Sequence, residues 1–142
     1  MDNLSYALYK SEDFVAMCNK RRENAKFLHL HLKNVVRFIG ELTDSAVPLF
    51  VPVFFENKEH RDAVRRKLIE EQIYCPIHWP KPVQVPAGFR ANEIYDTELS
   101  LVCDQRYTIE DMVRLSNVIK KCCFNIWWES MNYGLILLSL FG

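Results

Sequence analysis

The chain has 142 residues, a length that suits one domain with a real hydrophobic core. Apolar residues make up 49% of the sequence and charged residues 25%, as in an ordinary soluble globular protein. The formal net charge of +0 argues against broad electrostatic binding to nucleic acid or to an anionic membrane, so we expect no nucleic-acid partner.

Five cysteines are scattered along the chain, and no two of them have the C-x-x-C spacing of a zinc or redox site. His29 and His31 lie two residues apart on a predicted helix and so face different sides of it. We therefore expect reduced thiols and no metal site. The first residues lack both the basic region and the apolar core of a secretory signal, so we expect a cytoplasmic protein.

A long amphipathic helix is the first predicted element, over residues 11–39. Gly40 is a natural end for it. A helix with one apolar stripe must pack on a sheet or on another subunit. The stripe follows helical spacing and consists of Phe14, Cys18, Ala25, Leu28, Leu32, Val35 and Ile39.

A buried strand is predicted over residues 47–55, which are almost continuously apolar. Pro48 and Pro52 each lack a ladder donor, which indicates a strand at the sheet edge or one that starts late. Asn57 can cap a following helix over residues 58–72. The inner side of this helix would carry Ala63, Val64, Leu68 and Ile69, and its outer side Arg61, Arg65 and Lys67.

The rest of the chain predicts two more strands and a helix. Residues 73–77 form a short strand, residues 81–92 a loop rich in proline, and residues 99–103 a third strand. Thr108 and Asp111 resemble a capping box that opens a helix to about Lys121. Its inner face would carry Met112, Leu115 and Ile119. Helices over one face of a small, mostly antiparallel sheet are the economical packing, so the fold class is α+β with two layers.

Two stretches carry a resemblance to a known family. Residues 47–80 read VPLFVPVFFENKEHRDAVRRKLIEEQIYCPIHWP, and residues 97–112 read TELSLVCDQRYTIEDM. Their order resembles the C-terminal small domain of a fold-type-I pyridoxal-phosphate (PLP) aminotransferase. It is most similar to the DegT/DnrJ/EryC1/StrS family, whose members transfer an amino group to a nucleotide-linked keto-sugar, and the resemblance covers about residues 4–121.

The resemblance also implies what the chain lacks. In the family, the lysine that forms the Schiff base with PLP lies in a large domain that this sequence does not contain. We therefore expect no catalytic residue here, no PLP bound by the chain alone, and no transaminase activity without the missing large domain. The partners implied are that large domain or a second copy of the chain, with a nucleotide-sugar as the substrate of the intact enzyme. The alternative function is a free-standing, non-catalytic interaction or dimerisation module.

His78 and Trp79 are the first candidates for substrate binding. A histidine between a strand and a proline loop can donate a hydrogen bond to a sugar or phosphate, and an indole can stack on a ring. In the resembled family, this strand end lies near the substrate cleft. The alternative is a structural histidine held by a backbone carbonyl, with Trp79 in the core.

Arg106 is the third candidate. In several fold-type-I enzymes an arginine of the small domain binds the substrate carboxylate through a bidentate fork. The alternative is that Arg106 and Asp104 stabilise the loop through a local salt bridge.

The tail, residues 122–142, does not match the resembled domain. The sequence therefore divides into a domain over residues 1–121 and an apolar tail of uncertain origin. The tail's cleanest apolar run, residues 135–141, is too short to cross a bilayer, so we expect no membrane span. A frameshift product, a packing helix and an interfacial membrane helix are the three readings of this tail.

Overall fold

A computed structural model describes residues 2–11, 13–84, 88 and 91–140, and the side chains of these residues except 8 and 125–140. Two helices, α1 (Asn3–Ser11) and α2 (Phe14–Leu32), open the chain. Asp13 caps α2, because its side chain accepts the N–H of Ala16 at 2.9 Å.

The predicted helix over residues 11–39 is wrong at its end. Helix α2 stops at Leu32, and a two-residue strand, β1 (Arg37–Phe38), follows. The segment between them closes with hydrogen bonds from the N–H groups of Val35 and Val36 to the carbonyl oxygen of Leu32. Gly40, with φ of +65°, turns the chain after β1 rather than ending the helix.

A three-stranded antiparallel sheet forms the second layer, in the order β1, β2 (Phe50–Phe54), β3 (Glu98–Val102). The prediction of an edge position for the strand containing Pro52 is wrong, since β2 is central, but the late start at Phe50 is confirmed. The N–H of Phe55 donates to the carbonyl oxygen of Thr97, next to β3. Because backbone N–H groups alternate in direction along a strand, those of Val51 and Val53 also point toward β3, and the backbone nitrogen of Pro52 points to the opposite side. There it lies beyond the two residues of β1, where no ladder donor is needed.

The predicted strand over residues 73–77 is not a strand. Its chain runs along the outer edge of β3, where the N–H of Ser100 donates to the carbonyl oxygen of Pro76 at 3.1 Å. Pro76 has no N–H with which to return a bond, so no ladder develops.

Three further helices are α3 (Lys58–Glu70), α4 (Ala91–Thr97) and α5 (Ile109–Leu140). Asn57 caps α3 through the N–H of His60, as predicted. The capping box before α5 is also confirmed: the N–H of Thr108 donates to the Asp111 carboxylate at 2.8 Å, and the N–H of Asp111 donates to the Thr108 hydroxyl at 3.3 Å.

The end of α5 differs from the prediction. The sequence predicts an end near Lys121, whereas the helix continues without a break to Leu140. Cys122 and Cys123 pack partly against the core. The side chains of residues 125–140 and all of Phe141 lie outside the described part of the chain. Whether the chain divides at residue 121 therefore stays a prediction.

The hydrophobic core lies between the sheet and three helices, which confirms the two-layer α+β architecture. One face of β2 and β3 packs against α2, α3 and α5. The inner positions predicted for α5 are fully buried, and so are Val64 and Leu68 of α3. Among the side chains that the structure describes, the large apolar ones that are fully buried are Leu28, Leu32, Leu68, Leu99, Leu101, Met112, Leu115, Ile119, Val53 and Val64.

Candidate functional site

His78 and Trp79 lie on the face of the sheet that the three core helices leave uncovered. The imidazole of His78 stacks on the ring of Phe50, with centroids 4.0 Å apart. Trp79 meets the same ring edge-on at 6.4 Å, and 41% of its surface is exposed. Phe50 thus holds the two candidates together as one corner, and the exposed indole leaves an apolar surface beside the imidazole. We call this arrangement of Phe50, His78 and Trp79 the aromatic corner.

A buried acid lies on the same face of the sheet as the aromatic corner. Glu98 and Ser100 share one face of β3, and both are fully buried. The Ser100 hydroxyl donates to Glu98 Oε1 at 2.5 Å. Burial raises the pKa of Glu98, while the Ser100 hydroxyl, the His78 imidazole and the nearby Arg61 counteract the rise.

Arg61 corrects one prediction. The sequence assigns it to the exposed side of α3, but its side chain is buried. Its Nη1 donates to the backbone oxygens of Glu98 at 3.0 Å and of Tyr95 at 3.4 Å, and its Nε donates to Asp62 at 2.6 Å. The guanidinium therefore joins α3 to the start of β3 through the backbone rather than through the Glu98 carboxyl.

Arg106 lies in the turn between β3 and α5, and its side chain is fixed locally. Its Nε and Nη2 donate to the two carboxylate oxygens of Asp104 at 2.9 and 2.7 Å. The Arg106 guanidinium thereby lowers the pKa of Asp104, against the opposing effect of burial. This geometry is the one expected if Arg106 and Asp104 stabilise the loop through a local salt bridge. The arginine side chain is nevertheless 74% exposed, so its outer edge can be reached by a ligand.

Side chains of helix α2 bind this turn through hydrogen bonds. The side-chain amide of Asn24, which is fully buried, donates to the backbone oxygens of Cys103, Asp104 and Tyr107 at 3.3, 3.1 and 3.0 Å. On the same helix, Arg21 donates to the side-chain oxygen of Gln105 at 2.7 Å. No local sequence motif indicates that Asn24 or Arg21 binds this turn.

The aromatic corner and the Arg106 turn lie at the same end of the sheet. Phe50 is paired with Val102, and the N–H of Cys103 donates to the carbonyl oxygen of Leu49. The antiparallel pairing thus brings the start of β2 and the end of β3 together. The three predicted site residues share this end without contacting one another across it, apart from the neighbours His78 and Trp79.

A separate cleft of about 610 Å³ opens beside the first turn of α3. The imidazole of His60 contributes two buried nitrogens without hydrogen-bond partners in the described structure, and burial lowers its pKa. None of the predicted site residues borders it. It is lined by Lys33, Asn34, Val35, Val36, Arg37, Phe54, Phe55, Glu56, His60 and Cys123.

The residues present do not fit PLP. The cofactor needs a lysine held in its pocket to form a Schiff base, with a pKa low enough for attack. All nine lysines fall in the described part of the chain, and none of them is buried. Lys20, Lys26, Lys67 and Lys81 form ion pairs with carboxylates, and this pairing raises the pKa of Lys67.

The described residues contain no group of three or more His, Cys, Asp or Glu side chains that could hold a metal ion. Among the same residues, no helix has the length and apolar character needed to cross a membrane.

Sequence comparisons find no match: no protein-family model matches this chain, and no curated protein does. Solved structures do match. The apo form of Spr1654 from Streptococcus pneumoniae, assigned as a sugar aminotransferase, aligns over 87% of this chain and 35% of its own, with a TM-score of 0.72 and 14% identity.

Two further structures have higher identity. A DegT DnrJ EryC1 StrS aminotransferase from Brucella abortus aligns over 74% of this chain and 31% of its own, with a TM-score of 0.61 and 20% identity. DesV from S. venezuelae, solved with a ketimine intermediate, aligns over 76% of this chain and 32% of its own, with a TM-score of 0.66 and 20% identity.

The chain therefore spans about a third of the length of the aminotransferases that it matches. At these identities the likeness establishes the fold. The resemblance seen in the sequence is confirmed at that level: the chain has the fold of one part of the DegT/DnrJ/EryC1/StrS-type sugar aminotransferases.

Proposed function

We propose that the chain is the C-terminal domain of a PLP-dependent sugar aminotransferase of the DegT/DnrJ/EryC1/StrS family. The intact enzyme would act in the cytoplasm and transfer an amino group to a nucleotide-linked keto-sugar. The observation that carries the proposal is the fold, which this chain shares with about a third of the length of each such enzyme. The ordered motifs over residues 47–80 and 97–112 support it independently.

On this proposal, the chain is not a transaminase by itself. The lysine that carries PLP belongs to a large domain, which is either a partner or another part of the same protein. Seven of the nine lysines are exposed and two, Lys20 and Lys120, are half-buried. This supports the division of labour, because a hydrated ammonium is a poor nucleophile at neutral pH.

The contribution of this chain is to bind the substrate at one end of its sheet. His78 supplies a hydrogen-bonding imidazole, and the exposed indole of Trp79 supplies a surface on which a sugar or base can pack. Arg106 adds a positive charge in the neighbouring turn, with its orientation set by Asp104.

The decisive test is the identity of the polypeptide in its native cell. Antibodies against this chain should detect a protein much longer than 142 residues, or a complex with a second polypeptide that carries PLP. The purified material should convert a nucleotide-linked keto-sugar and an amino donor to an amino-sugar detectable by mass spectrometry. A native 142-residue protein that purifies without a PLP-binding polypeptide would contradict the proposal.

Substitutions test the site within that native assembly. Trp79→Ala should raise the KM for the sugar substrate, because an exposed aromatic surface at the corner is lost. Tyr74→Ala is the matched control, since Tyr74 is also exposed, at 68%, and precedes Trp79 by five residues. Equal effects of the two substitutions would show that the corner has no special role.

The alternative, a non-catalytic interaction or dimerisation module, also has a supporting observation. Helix α1 carries Leu4, Tyr6 and Tyr9 with exposed fractions of 72%, 49% and 55%. Exposed apolar residues grouped on one helix are typical of an interface. Self-association of the 142-residue chain in its native cell, with no PLP-binding polypeptide attached, would favour this alternative.

A further inference from the structure

The orientation of the Arg106 guanidinium depends on the shape of the turn that carries it. A hydrogen bond from the N–H of Tyr107 to the carbonyl oxygen of Asp104, at 3.2 Å, closes this turn. Within it, the Asp104 carboxylate accepts the backbone N–H of Arg106 at 3.0 Å, its Nε at 2.9 Å and its Nη2 at 2.7 Å. The guanidinium therefore follows the position of Asp104.

A side chain of helix α2 binds both ends of this turn. Where the chain enters the turn, Asn24 Nδ2 donates to the carbonyl oxygens of Cys103 and Asp104. Where the chain leaves it, the same nitrogen donates to the carbonyl oxygen of Tyr107. Because Arg106 lies between these points, Asn24 links the whole segment that carries the guanidinium to α2.

Packing alone does not account for an asparagine at this position. Asn24 is fully buried, and its Oδ1 is buried without a hydrogen-bond partner in the described structure. An apolar side chain would avoid the cost of that oxygen. Turning the amide over would not relieve it, because Oδ1 would then face three carbonyl oxygens. A buried group that is only half satisfied requires an explanation, and every hydrogen bond that the structure describes for this side chain goes to the Arg106 turn.

We propose that Asn24 is a positioning residue for Arg106. By binding both ends of the turn, it keeps the Asp104 carboxylate where it accepts Nε and Nη2 together, which leaves Nη1 of the exposed guanidinium for a ligand. Asn24 acts through Asp104 and does not touch the ligand. This inference rests on the proposed function only for the existence of that ligand, since the orientation of Arg106 can be measured in the chain alone.

The first measurement is NMR of the full chain, with the Nε–H group of Arg106 as the probe. In the native turn this proton is bonded to a carboxylate, so it should exchange slowly with water. We expect Asn24→Ala to move its chemical shift toward that of a hydrated arginine and to make its exchange faster by roughly tenfold, as for the loss of one hydrogen bond to a charged group. Asp104→Ala gives the reference for a released guanidinium, because it removes the carboxylate and keeps the backbone carbonyl that Asn24 binds.

The matched control is Val64→Ala, which removes buried atoms without removing a hydrogen bond of the turn. Val64 is as fully buried as Asn24 but lies in α3. This substitution should leave the Arg106 signal unchanged. If Asn24→Ala does not fold, Asn24→Ser keeps one hydroxyl donor on a shorter side chain and should move the Arg106 signal in the same direction by a smaller amount.

The comparison of these variants decides the proposal. An Arg106 signal that moves toward the Asp104→Ala reference in Asn24→Ala, and stays native in Val64→Ala, supports it. A native signal in Asn24→Ala, or in Asn24→Ser where the first variant does not fold, overturns it. Equal changes in Val64→Ala also overturn it, because they would reflect general loosening. If the signal moves as expected but Arg106→Ala leaves the KM of the native assembly unchanged, the positioning stands and the ligand role of Arg106 falls.

Discussion

Removal of the Asn24 side chain should be one of the most damaging single substitutions in this domain. The amide nitrogen of Asn24 has two hydrogens and lies within hydrogen-bond distance of three backbone oxygens in the turn from Cys103 to Tyr107. At least one of its bonds is therefore shared. In Asn24→Ala the carbonyl oxygen of Asp104 would keep the N–H of Tyr107 as a donor, whereas those of Cys103 and Tyr107 would lose the amide of Asn24.

The expected loss of stability follows from the backbone carbonyl groups that lose their donor. A buried polar group without its partner costs about 1–3 kcal/mol, and two full hydrogen bonds are lost here. Part of this cost is recovered, because Asn24 Oδ1 is already buried without a partner and disappears with the side chain. We expect Asn24→Ala to lower the free energy of unfolding by about 2–4 kcal/mol, including the small cavity.

Equilibrium urea denaturation followed by circular dichroism measures this change. Asn19→Ala on the same helix is the control, since Asn19 is exposed and should change stability by less than about 0.5 kcal/mol. Asn24→Asp tests the direction of the hydrogen bonds: a carboxylate facing three carbonyl oxygens should be worse than alanine at pH 7. A cost below about 0.5 kcal/mol for Asn24→Ala, or a more stable aspartate variant at pH 7, would refute the reasoning.

Three further predictions concern charge, cofactor and tail. Because burial raises the pKa of Glu98, the folded chain holds that proton more tightly than the unfolded chain; the resulting stability is present below pH 4.5 and is lost as the pH rises through the folded value. The free energy of unfolding of the native chain relative to Glu98→Gln should therefore fall between pH 4 and pH 7, and a rise in parallel denaturation series would contradict this. The purified chain incubated with PLP and borohydride should show no single modified lysine in peptide mapping; one dominant adduct would reveal an unrecognised site. A chain ending at Phe124 keeps every core side chain that the structure describes, so its denaturation midpoint should differ little from that of the full chain, whereas a large drop would place the tail in the core.

The caps and the helix faces could be predicted from the sequence because they depend on residues close together in the chain. Asn57 and the pair Thr108 and Asp111 satisfy N–H groups within one turn, so their patterns need no knowledge of the rest of the fold. The inner face of α5 follows from helical spacing in the same way.

The predictions that are wrong concern features that depend on contacts between distant parts of the chain. Arg61 occupies a polar position on α3 by spacing, and only the carbonyl groups at the start of β3 make its burial favourable. Glu98 alternates with apolar neighbours, a pattern typical of a solvent-facing strand residue, yet it is fully buried. A two-residue strand such as β1 has no periodicity to detect.

For the candidate site, the sequence identified His78, Trp79 and Arg106 but not the residues that orient them. The aromatic corner depends on Phe50, 28 residues before His78, and the Arg106 turn depends on Asn24, more than 75 residues earlier. No local motif links these pairs. A strong helix-spacing signal even conceals Asn24, because it falls next to Ala25 on the buried side of α2.

The proline in the middle strand also bears on how this domain avoids aggregation. Strand β1 pairs only with Val53 and Phe54, so no strand in the described part of the chain pairs with the first half of β2 on that side, where a strand of another chain could add. Pro52 faces that side and offers no N–H, which interrupts the hydrogen-bond ladder at its centre. Proline is rare in a central strand, and here Pro52 hinders the formation of an intermolecular β-sheet. A Pro52→Val chain would retain the sheet's internal pairing and would pair more readily with a strand of another chain.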